Sequence, residues 1–491
     1  MLHRLLHFIV PSLLRSQSPP EFQILMDTPL KSLNPNKHLK ERFVSNLTGS
    51  SMLELFSLMT TLSIVILLRR STGLNTQIGG LLKKHDKDNG IIRTKNLAMY
   101  IAAVSLDFLC IVVPFILYTT VLADWIYINT SLVAALLLLC IFSGRFGSPF
   151  QDDGLQSLRQ NISAYRVSMM LLTCLCILAV DFKIFPRRFA KTETYGTSLM
   201  DLGVGSFVLT NSFVSRQARG ISAVSFSNSL RSTWPLTFLG LVRLISTSSV
   251  DYQVHVGEYG MHWNFFFTLA GVAILSSIIN VPPNYCGILG LFILLGYQLC
   301  LLLGFNEYLL SDDKRGADLI SQNKEGVFSI FGYWSLYLIG VQLGHYLFFG
   351  NHYNATTFRN NKWAMKRVCA LSLSFWLLTY ILDKHVERVS RRMCNLAYVS
   401  FVLAQNLQVL GIIMLSGYAS QHKISVLEEA FNQNLLASFL LANMLTGLVN
   451  LSVNTLSVTS SSALAILLLY AFVLSIVVGF ANLYGLKFKF W

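Results

Sequence analysis

Charged residues are scarce in this chain of 491 residues, of which they make up only 13%. A soluble domain usually carries about a quarter, so this chain has too few charges to cover a water-exposed surface. The scarcity excludes a cytosolic globular protein and a disordered protein. Acidic residues are the scarcer sign, at 24 against 38 Lys and Arg. The chain has a net charge of +14, but it is so apolar that we expect no nucleic-acid partner.

Paired cysteines and metal-binding spacings are also lacking. The eight cysteines lie mostly within or beside apolar runs, which favours packing roles over a disulfide or zinc framework. His255, Glu258 and His262 match no metal-binding helix motif, so we expect no metal site. We likewise expect no bound cofactor.

Apolar sequence is abundant, at 53% of residues with a mean hydropathy of +0.54. About thirteen runs approach the ~20 residues that a bilayer-spanning helix needs. The sequence therefore predicts an all-α, polytopic integral membrane protein with about 13 transmembrane helices. The runs are 52–68, 97–119, 125–143, 167–182, 195–214, 232–248, 262–280, 286–304, 326–349, 368–383, 395–416, 434–452 and 461–484.

The distribution of Lys and Arg predicts how the chain crosses the membrane. Loops on the side of residues 69–96, with the C-terminus, hold about 20 basic residues, and the other side holds about 11, plus about 6 in the N-terminal tail. Because cytoplasmic loops are enriched in Lys and Arg, the first side is expected to be cytoplasmic and the N-terminus luminal. The expected divisions are a partly disordered luminal tail (1–45), a multi-span domain (46–486) and a cytoplasmic tail (487–491).

Both ends of the chain carry candidate targeting signals. Lys487 and Lys489 resemble a dilysine retrieval signal of the endoplasmic reticulum, although a basic flank after the last span explains them equally well. Residues 1–25 are expected to be an amphipathic presequence or a disordered extension ahead of Met26.

A few charged residues fall inside the apolar runs, where charge is costly and usually functional. Glu54 lies near the end of a run and can reach the interface. For Asp107 and Arg243 we favour an interpretation in which they pair with each other, or with Asn and Gln, and fix helix packing. Asp181 and Asp201 belong to the segment 181–208, whose composition is more unusual.

The segment 181–208 is the strongest candidate for chemistry. Asp181 ends one run and Pro186 breaks the helix. Arg187, Arg188 and Lys191 follow on the expected luminal side, against the positive-inside trend. A carboxylate can accept the proton of an attacking hydroxyl, an ammonium can stabilise an oxyanion, and arginines grip phosphates. The pattern therefore suits acyl transfer to a hydroxyl, with Asp181 and Lys191 at one site.

A structural interpretation of this segment stays open. Ser198, Asp201 and Gly205 lie at i, i+3 and i+7, which makes a small and polar helix stripe that faces inward. The segment is then a basic interfacial flank followed by a packing helix. Helix packing also explains the stripe that contains Asn443 and Asn450.

Two further elements fall on the same side of the membrane. The segment 251–264 has acidic and histidine side chains but no Lys or Arg, so it can face the basic loop across a pocket. The alternative is a loop end that meets an aromatic interface belt. Arg391 and Arg392 form another basic edge.

These segments together resemble the glycosylphosphatidylinositol (GPI) inositol acyltransferases of the endoplasmic reticulum. The resemblance covers most of the chain from about residue 40, and the 181–208 block is its most specific part. Lys183 departs from the family, whose members usually carry proline there. The matching segments are FPRRFAK (185–191), GTSLMDLGVG (196–205), EYGMHWNFF (258–266), SRR (390–392), and LAN with TGLVN (441–450).

The resemblance implies transfer of a fatty acyl group, typically palmitoyl, from acyl-CoA to the inositol 2-hydroxyl of glucosaminyl-phosphatidylinositol. Acyl-CoA is then a co-substrate, membrane lipid surrounds the site, and protein partners are unknown. It further implies thirteen spans, a luminal N-terminus, an acyl channel that antifungal compounds occupy, and Asp181 and Lys191 as the catalytic pair. On the same hypothesis, Arg187, Arg188, Arg391 and Arg392 hold phosphates, and Asp201, His262, Trp263, Asn264 and Asn443 shape the pocket.

Two other hypotheses stay open at this point. A secondary transporter or lipid flippase would use the buried residues Asp107, Asp181, Asp201 and Arg243 as coupling or substrate sites. Transporters often have paired broken helices, however, and only one proline-broken site is evident. A histidine-based membrane O-acyltransferase would use His262 as its base.

Overall fold

The computed structural model describes residue 39 and residues 42–71, 90–143, 154–221, 226–249, 256–311, 315–349, 361–418 and 424–488. The described residues are almost entirely helical, and the one β contact among them is an isolated antiparallel bridge between Ser50 and Thr197. The α-helices are α1 (Met52–Ser71), α2 (Gly90–Asp107), α3 (Val113–Thr119), α4 (Ile126–Phe142), α5 (Gly154–Ala179), α6 (Leu202–Phe213), α7 (Phe226–Ser249), α8 (Val256–Tyr259), α9 (Phe265–Ile278), α10 (Pro283–Cys300), α11 (Asn306–Leu310), α12 (Leu319–Gln322), α13 (Lys324–Gly344), α14 (Asn361–His385), α15 (Leu396–Met414), α16 (Val426–Gln433), α17 (Leu435–Ser452) and α18 (Ser460–Leu483).

Short turns of other helix types join or extend several of these helices. A π turn at Phe108–Val112 joins α2 to α3, another at Leu301–Phe305 joins α10 to α11, and a third at His345–Phe349 extends α13. The 3-10 turns are Ala123–Trp125, Arg187–Phe189 and Leu415–Tyr418.

Ten helical stretches among the described residues are long and apolar enough to cross a bilayer. The all-α, polytopic prediction is therefore confirmed, whereas the count of thirteen is not. The runs 195–214 and 262–280 yield the shorter helices α6 and α9, of 12 and 14 residues, because each run begins in a loop. The run 232–248 lies within α7, which is not among the ten. The ten are Met52–Ser71, Leu97–Thr119, Ala123–Phe142, Leu158–Ala179, Pro283–Leu310, Lys324–Phe349, Asn361–His385, Leu396–Tyr418, Leu435–Ser452 and Ser460–Leu483.

The helix α15 lies at the centre of the bundle, since nearly all of its side chains are buried. The helices α1, α5 and α14 pack against it. By contrast, α4 and α14 keep many large apolar side chains exposed. Such exposure suits contact with lipid, where apolar surface has no need to avoid water.

Polar caps fix where several helices begin. The side chain of Asn264 accepts backbone N–H groups of the first turn of α9, and Ser425 and Thr459 do the same for α16 and α18. Asn395 caps α15 by accepting from the N–H of Tyr398 at 3.0 Å. Its oxygen also accepts from the loop before it, so this cap positions the loop 386–395 as well as the helix.

Loops from distant parts of the chain meet at one end of the bundle, here called the site end. The loop 180–201 is bound to the segment before α1 through Ser50 N to Thr197 O at 2.7 Å, and to the loop 386–395 through Gly196 N to Val389 O at 2.8 Å. Gly49 and Gly196 have φ of 84° and 130°. A Cβ on either would lie 2.2 Å from a backbone oxygen of the other segment, so only glycine permits this approach.

The opposite end is braced by two buried ion pairs. Arg69 Nη2 lies 2.6 Å from Asp107 Oδ1, and Arg70 Nε donates to Glu428 Oε2 at 3.1 Å. Asp107 also accepts from Ser425 Oγ at 2.8 Å. Asp107 thus fixes helix packing, as expected, but the predicted partner was wrong, because Arg69 and not Arg243 pairs with it.

Some predictions fall on residues outside the described ranges. The tail 1–25 with its candidate presequence, His255 and Lys489 of the dilysine pattern all lie outside them. Lys487 is described and exposed.

Candidate active site

The loop 180–201, between α5 and α6, carries both candidate catalytic residues. Pro186, with φ of −58°, leads directly into the 3-10 turn Arg187–Phe189, which fits the fixed φ of proline. Three aromatic side chains are fully buried and anchor the loop against the helices: Phe182, Phe185 and Phe189. The predicted break at Pro186 therefore produces a tight, anchored loop.

Arg187 folds back onto this loop. Its Nη2 donates to the carbonyls of Val180 at 2.9 Å, Phe182 at 3.1 Å and Phe185 at 2.9 Å. The carbonyls after the end of a helix need such partners. Burial lowers the pKa of Arg187 to about 10, while the negative charge of Asp181 raises it. Arg187 thus closes the loop and brings a positive charge to Asp181.

Asp181 is buried, with 5% of its surface exposed. Its Oδ2 accepts a hydrogen bond from Asn450 Nδ2 of α17 at 2.7 Å. The carboxylate is therefore held in one orientation from outside its own loop. A defined orientation is the first requirement of a general base.

Lys191 is more open than Asp181, with 39% of its side chain exposed. Its Nζ donates to Glu258 Oε1 of α8 at 2.6 Å, and the same oxygen lies 3.5 Å from Arg391 Nη1. The basic loop therefore does face the segment that precedes α9. Because Lys191 pairs with Glu258 and Asp181 is bonded to Asn450, the two candidate catalytic groups do not pair directly in this structure.

The charges around Glu258 shift both members of this ion pair. Burial raises the pKa of Glu258, but the positive charges of Lys191 and Arg391 outweigh burial and hold the pKa at about 2. Burial lowers the pKa of Lys191, Glu258 raises it and Arg391 lowers it, so that the pKa stays below its usual value. Lys191 is consequently an ammonium that gives up its proton more readily than a free lysine.

Asp201 and Arg391 form a buried pair beside Lys191. Asp201 Oδ1 accepts from Arg391 Nε at 2.8 Å, and Asp201 Oδ2 accepts from Thr192 Oγ1 at 2.8 Å. The backbone carbonyl of Asp201 accepts from the hydroxyl of Tyr398 at 2.7 Å. These bonds tie the loop 180–201 to the loop 386–395 and to α15. Asp201 is fully buried, so it supports the site from within the bundle.

The other two predicted phosphate ligands also have carboxylate partners. Arg188 lies 2.7 Å from Glu54 and 2.6 Å from Asp124. Arg392 lies 2.9 Å from Glu325, which also pairs with a second arginine of the site end. Phosphate binding by these arginines stays a prediction, and it requires the phosphate to share or replace the carboxylates.

The predicted pocket residues near α9 have different surroundings. The side chain of His262 is exposed. Trp263 Nε1 donates to Thr268 Oγ1 at 3.0 Å, and Asn264 Nδ2 donates to the carbonyl of Gly240 at 3.0 Å while its oxygen caps α9. Trp263 and Asn264 thus hold the start of α9 in place, and His262 is the member of the three that faces outward.

Two residues that meet the candidate pair were absent from the predicted site. Asn443 turns its amide back to the carbonyl of Phe439 in its own helix at 2.8 Å, whereas Asn450, two turns later, reaches Asp181. Both lie on one stripe of α17, so the sequence gives no means of choosing between them. The sequence did point to Glu258, because this residue belongs to a segment without Lys or Arg that was expected to face the basic loop.

A buried carboxylate and a part-exposed ammonium thus lie on one loop at the end of a multi-span bundle. Such a pair can move a proton and stabilise a developing anion at a membrane surface. The fold defines a polytopic helical membrane protein, and the loop 180–201 carries a candidate acid–base pair at one end of its bundle.

The sequence model of the GWT1 family matches residues 36–481, and the chain belongs to this family. GPI-anchored wall transfer protein 1 of Kluyveromyces lactis is 35% identical over 92% of this chain and 98% of its own length. Glucosaminyl-phosphatidylinositol-acyltransferase PIGW of Mus musculus is 32% identical over 93% of this chain and 99% of its own. An uncharacterized protein of Arabidopsis thaliana, At4g17910, is 53% identical over 87% of this chain and 98% of its own length. The resemblance read from the sequence is confirmed.

Proposed function

We propose that this protein transfers a fatty acyl group from acyl-CoA to the inositol 2-hydroxyl of glucosaminyl-phosphatidylinositol in GPI-anchor synthesis. The relatives named as acyltransferases of that lipid support the reaction. The observation that carries the proposal is the buried carboxylate of Asp181, held by Asn450, on the same loop as the ammonium of Lys191. The acyl group is palmitoyl, and the protein lies in the endoplasmic reticulum membrane with its N-terminus luminal and its C-terminus cytoplasmic.

In the proposed mechanism Asp181 accepts the proton of the inositol 2-hydroxyl while that oxygen attacks the thioester carbonyl carbon. The carbonyl oxygen becomes an oxyanion, to which the ammonium of Lys191 donates a hydrogen bond. The tetrahedral intermediate then collapses, the carbon–sulfur bond breaks, and coenzyme A leaves as a thiol that takes the proton from Asp181. The competing assignment exchanges the two roles, since a lysine of lowered pKa can also act as a base.

The proposal is tested by acylation of glucosaminyl-phosphatidylinositol with labelled palmitoyl-CoA in membranes that lack their own activity. Asp181→Asn removes the base and Lys191→Met removes the oxyanion partner. Each is expected to lower kcat about 100-fold or more, which is typical of losing such a group. Wild-type rates in both variants would rule out the assignment.

Matched controls come from the same end of the molecule. Lys183→Met removes an exposed lysine of the same loop, and Glu307→Gln removes an exposed carboxylate of α11 that has no part in the proposed site. Both are expected to keep wild-type activity. His262→Ala is expected to keep most of it, whereas a loss as large as that of Asp181→Asn would favour the histidine-based hypothesis.

A further inference from the structure

The turn after α6, residues 214–221, presents two arginines at the opposite end of the bundle. Gln217 Nε2 donates to the carbonyl of Val281 at 2.8 Å, and His345 Nδ1 lies 2.9 Å from the carbonyl oxygen of Ala218. The turn is therefore tied to the start of α10 and to the end of α13. Its exposed arginines are Arg216 and Arg219.

One face of α5 adds two more arginines beside this turn. Arg159 and Arg166 are seven residues apart, which is two helical turns, so they lie on the same face. Next to Arg166, the ring of Tyr165 lies 6.3 Å from the ring of Phe213, where α6 ends. Partial burial lowers the pKa of Arg219, and the positive charge of Arg159 lowers it further. We call these four residues, Arg159, Arg166, Arg216 and Arg219, the arginine cluster.

The arginine cluster has no carboxylate partner within the part of the chain that the structure describes. In the same part, Arg69, Arg70, Arg188, Arg315, Arg391 and Arg392 each have one. The Nε of Arg166 is moreover buried with no acceptor, several residues inside a membrane-spanning stretch that begins at Leu158. Single arginines such as Arg187, Arg231 and Arg367 also lack a carboxylate partner among the described residues, so what distinguishes the cluster is that several such arginines lie together beside a membrane-spanning stretch.

An unpaired guanidinium inside a membrane segment is expensive, and like charges beside it add repulsion. An anionic ligand removes both penalties. Arginine forks fit phosphate oxygens in particular, because two parallel N–H groups can each reach one oxygen. The chemistry that completes this cluster is therefore a phosphate or diphosphate.

We propose that the arginine cluster binds the phosphate groups of the acyl-CoA donor. The inference rests on the proposed function and adds to it a separate site for the donor. Coenzyme A carries its phosphates at one end and its thioester at the other, joined by a long flexible arm. From Arg166 to the end of α5 the helix rises ~20 Å, so the two ends of the donor occupy different ends of the bundle.

The position of the cluster also fits the supply of the donor. Residues 158–166 and 214–221 belong to the end whose loops carry most of the Lys and Arg, which is the end expected to face the cytoplasm. The phosphates stay at that surface, and the thioester reaches toward Asp181 at the site end. The cluster thus supplies an entry for a donor whose chemistry takes place on the far side.

The test measures binding of unacylated coenzyme A to the full-length protein in neutral detergent by calorimetry. Without an acyl group no turnover occurs, so the readout is separate from activity. Arg166→Gln and Arg219→Gln are each expected to raise the Kd about tenfold, the loss of one charged fork. Arg166→Lys keeps the charge without the fork, and it is expected to recover part of the affinity.

The matched control is Arg231→Gln, which removes an exposed arginine of α7 outside the cluster and is expected to leave the Kd unchanged. Equal Tm values show that each variant is folded. Coenzyme A binding that is the same in wild type and cluster variants would overturn the site and leave the acyl donor intact. Loss of binding to vesicles of phosphatidic acid, with unchanged coenzyme A affinity, would instead assign the cluster to lipid phosphate. A wild type that binds no coenzyme A would overturn the site and the proposed donor together.

Discussion

At the scale of single residues, the two candidate catalytic groups depend on partners far away in the chain. Asp181 is oriented by Asn450, and Lys191 is held by Glu258. Each group therefore has its own neighbour that sets its orientation or charge, and each neighbour can be changed by itself.

Asn450→Ala tests the orientation of Asp181. A hydrogen bond to a charged group is worth about 1.5–3 kcal/mol, so its loss is expected to lower kcat about tenfold or more. The measurement is the acylation rate at saturating substrates. Asn443→Ala is the control, because that amide is bonded to its own helix, and its rate is expected to stay within about twofold of wild type. Equal effects of the two variants would contradict the role of Asn450.

Glu258→Gln tests the charge state of Lys191. Since Glu258 is the partner that raises the pKa of Lys191, its loss lowers that pKa further. If protonated Lys191 is required, the alkaline limb of the pH profile of kcat/KM moves to lower pH. The control is Glu307→Gln, an exposed acid on α11. An unchanged alkaline limb in Glu258→Gln would show that Lys191 does not act as an ammonium.

The pKa of Glu258 determines the acidic pH at which its ion pair with Lys191 is lost. Its folded pKa of about 2 is below the value of ~4.3 for a free Glu. A carboxylate whose pKa is lower in the folded state than in the unfolded state stabilises the fold at pH values above its unfolded pKa. This stabilisation is lost as the pH falls toward its folded pKa. The ion pair with Lys191 is therefore complete at neutral pH and weakens only between about pH 4 and pH 2.

At the scale of elements, the loops 180–201 and 386–395 form one unit. Backbone bonds, the pair of Asp201 with Arg391, and the contact of Ser390 Oγ with the carbonyl of Thr194 at 2.6 Å all join them. The position of Lys191 thus depends on a loop almost 200 residues away. Loops usually vary in position, but here buried charge fixes both.

Arg391→Met tests this junction. It leaves the carboxylate of Asp201 buried without its cation, which is expected to cost about 3–5 kcal/mol of folding free energy. Asp124→Asn removes only the exposed carboxylate of the ion pair with Arg188, and about 0–1 kcal/mol is expected. The measurement is the Tm of the purified proteins in detergent. If the two variants melt at the same temperature, the Asp201–Arg391 pair does not hold the loops together.

At the scale of the whole molecule, the few charges are concentrated at the two ends of the bundle, with different arrangements. At the site end, Arg188, Arg391 and Arg392 are paired with Glu54, Glu258 and Glu325, respectively. At the opposite end, Arg69 and Arg70 are matched, but the arginine cluster is not. A bilayer-spanning bundle with the candidate catalytic pair at one end and unpaired arginines at the other is the arrangement on which the proposed binding of a donor with two chemically different ends rests.

The sequence predicted the helical class, most of the membrane runs and the loop 180–201 because each depends on local properties of the chain. A run of apolar residues and a proline break act over about 20 residues or fewer. The run 195–214 shows the limit. Hydropathy assigned residues 195–201 to a span. In the structure they form a loop that the hydrogen bond from Thr192 to Asp201 helps to hold, and the helix begins only at Leu202.

The identities of the partners were decided by tertiary structure alone. A stripe with Asn443 and Asn450 has the same periodicity whichever amide reaches Asp181, and the rotation of α17 in the bundle selects Asn450. The sequence does not show which arginine pairs with Asp107, and the packing of α1 against the π turn Phe108–Val112 and α3 selects Arg69. The sequence by itself determined a polytopic membrane protein with an acid and a base around Pro186. Tertiary packing brings together charges that are hundreds of residues apart in the sequence. It therefore decides which charges are paired and which arginines lack a carboxylate partner.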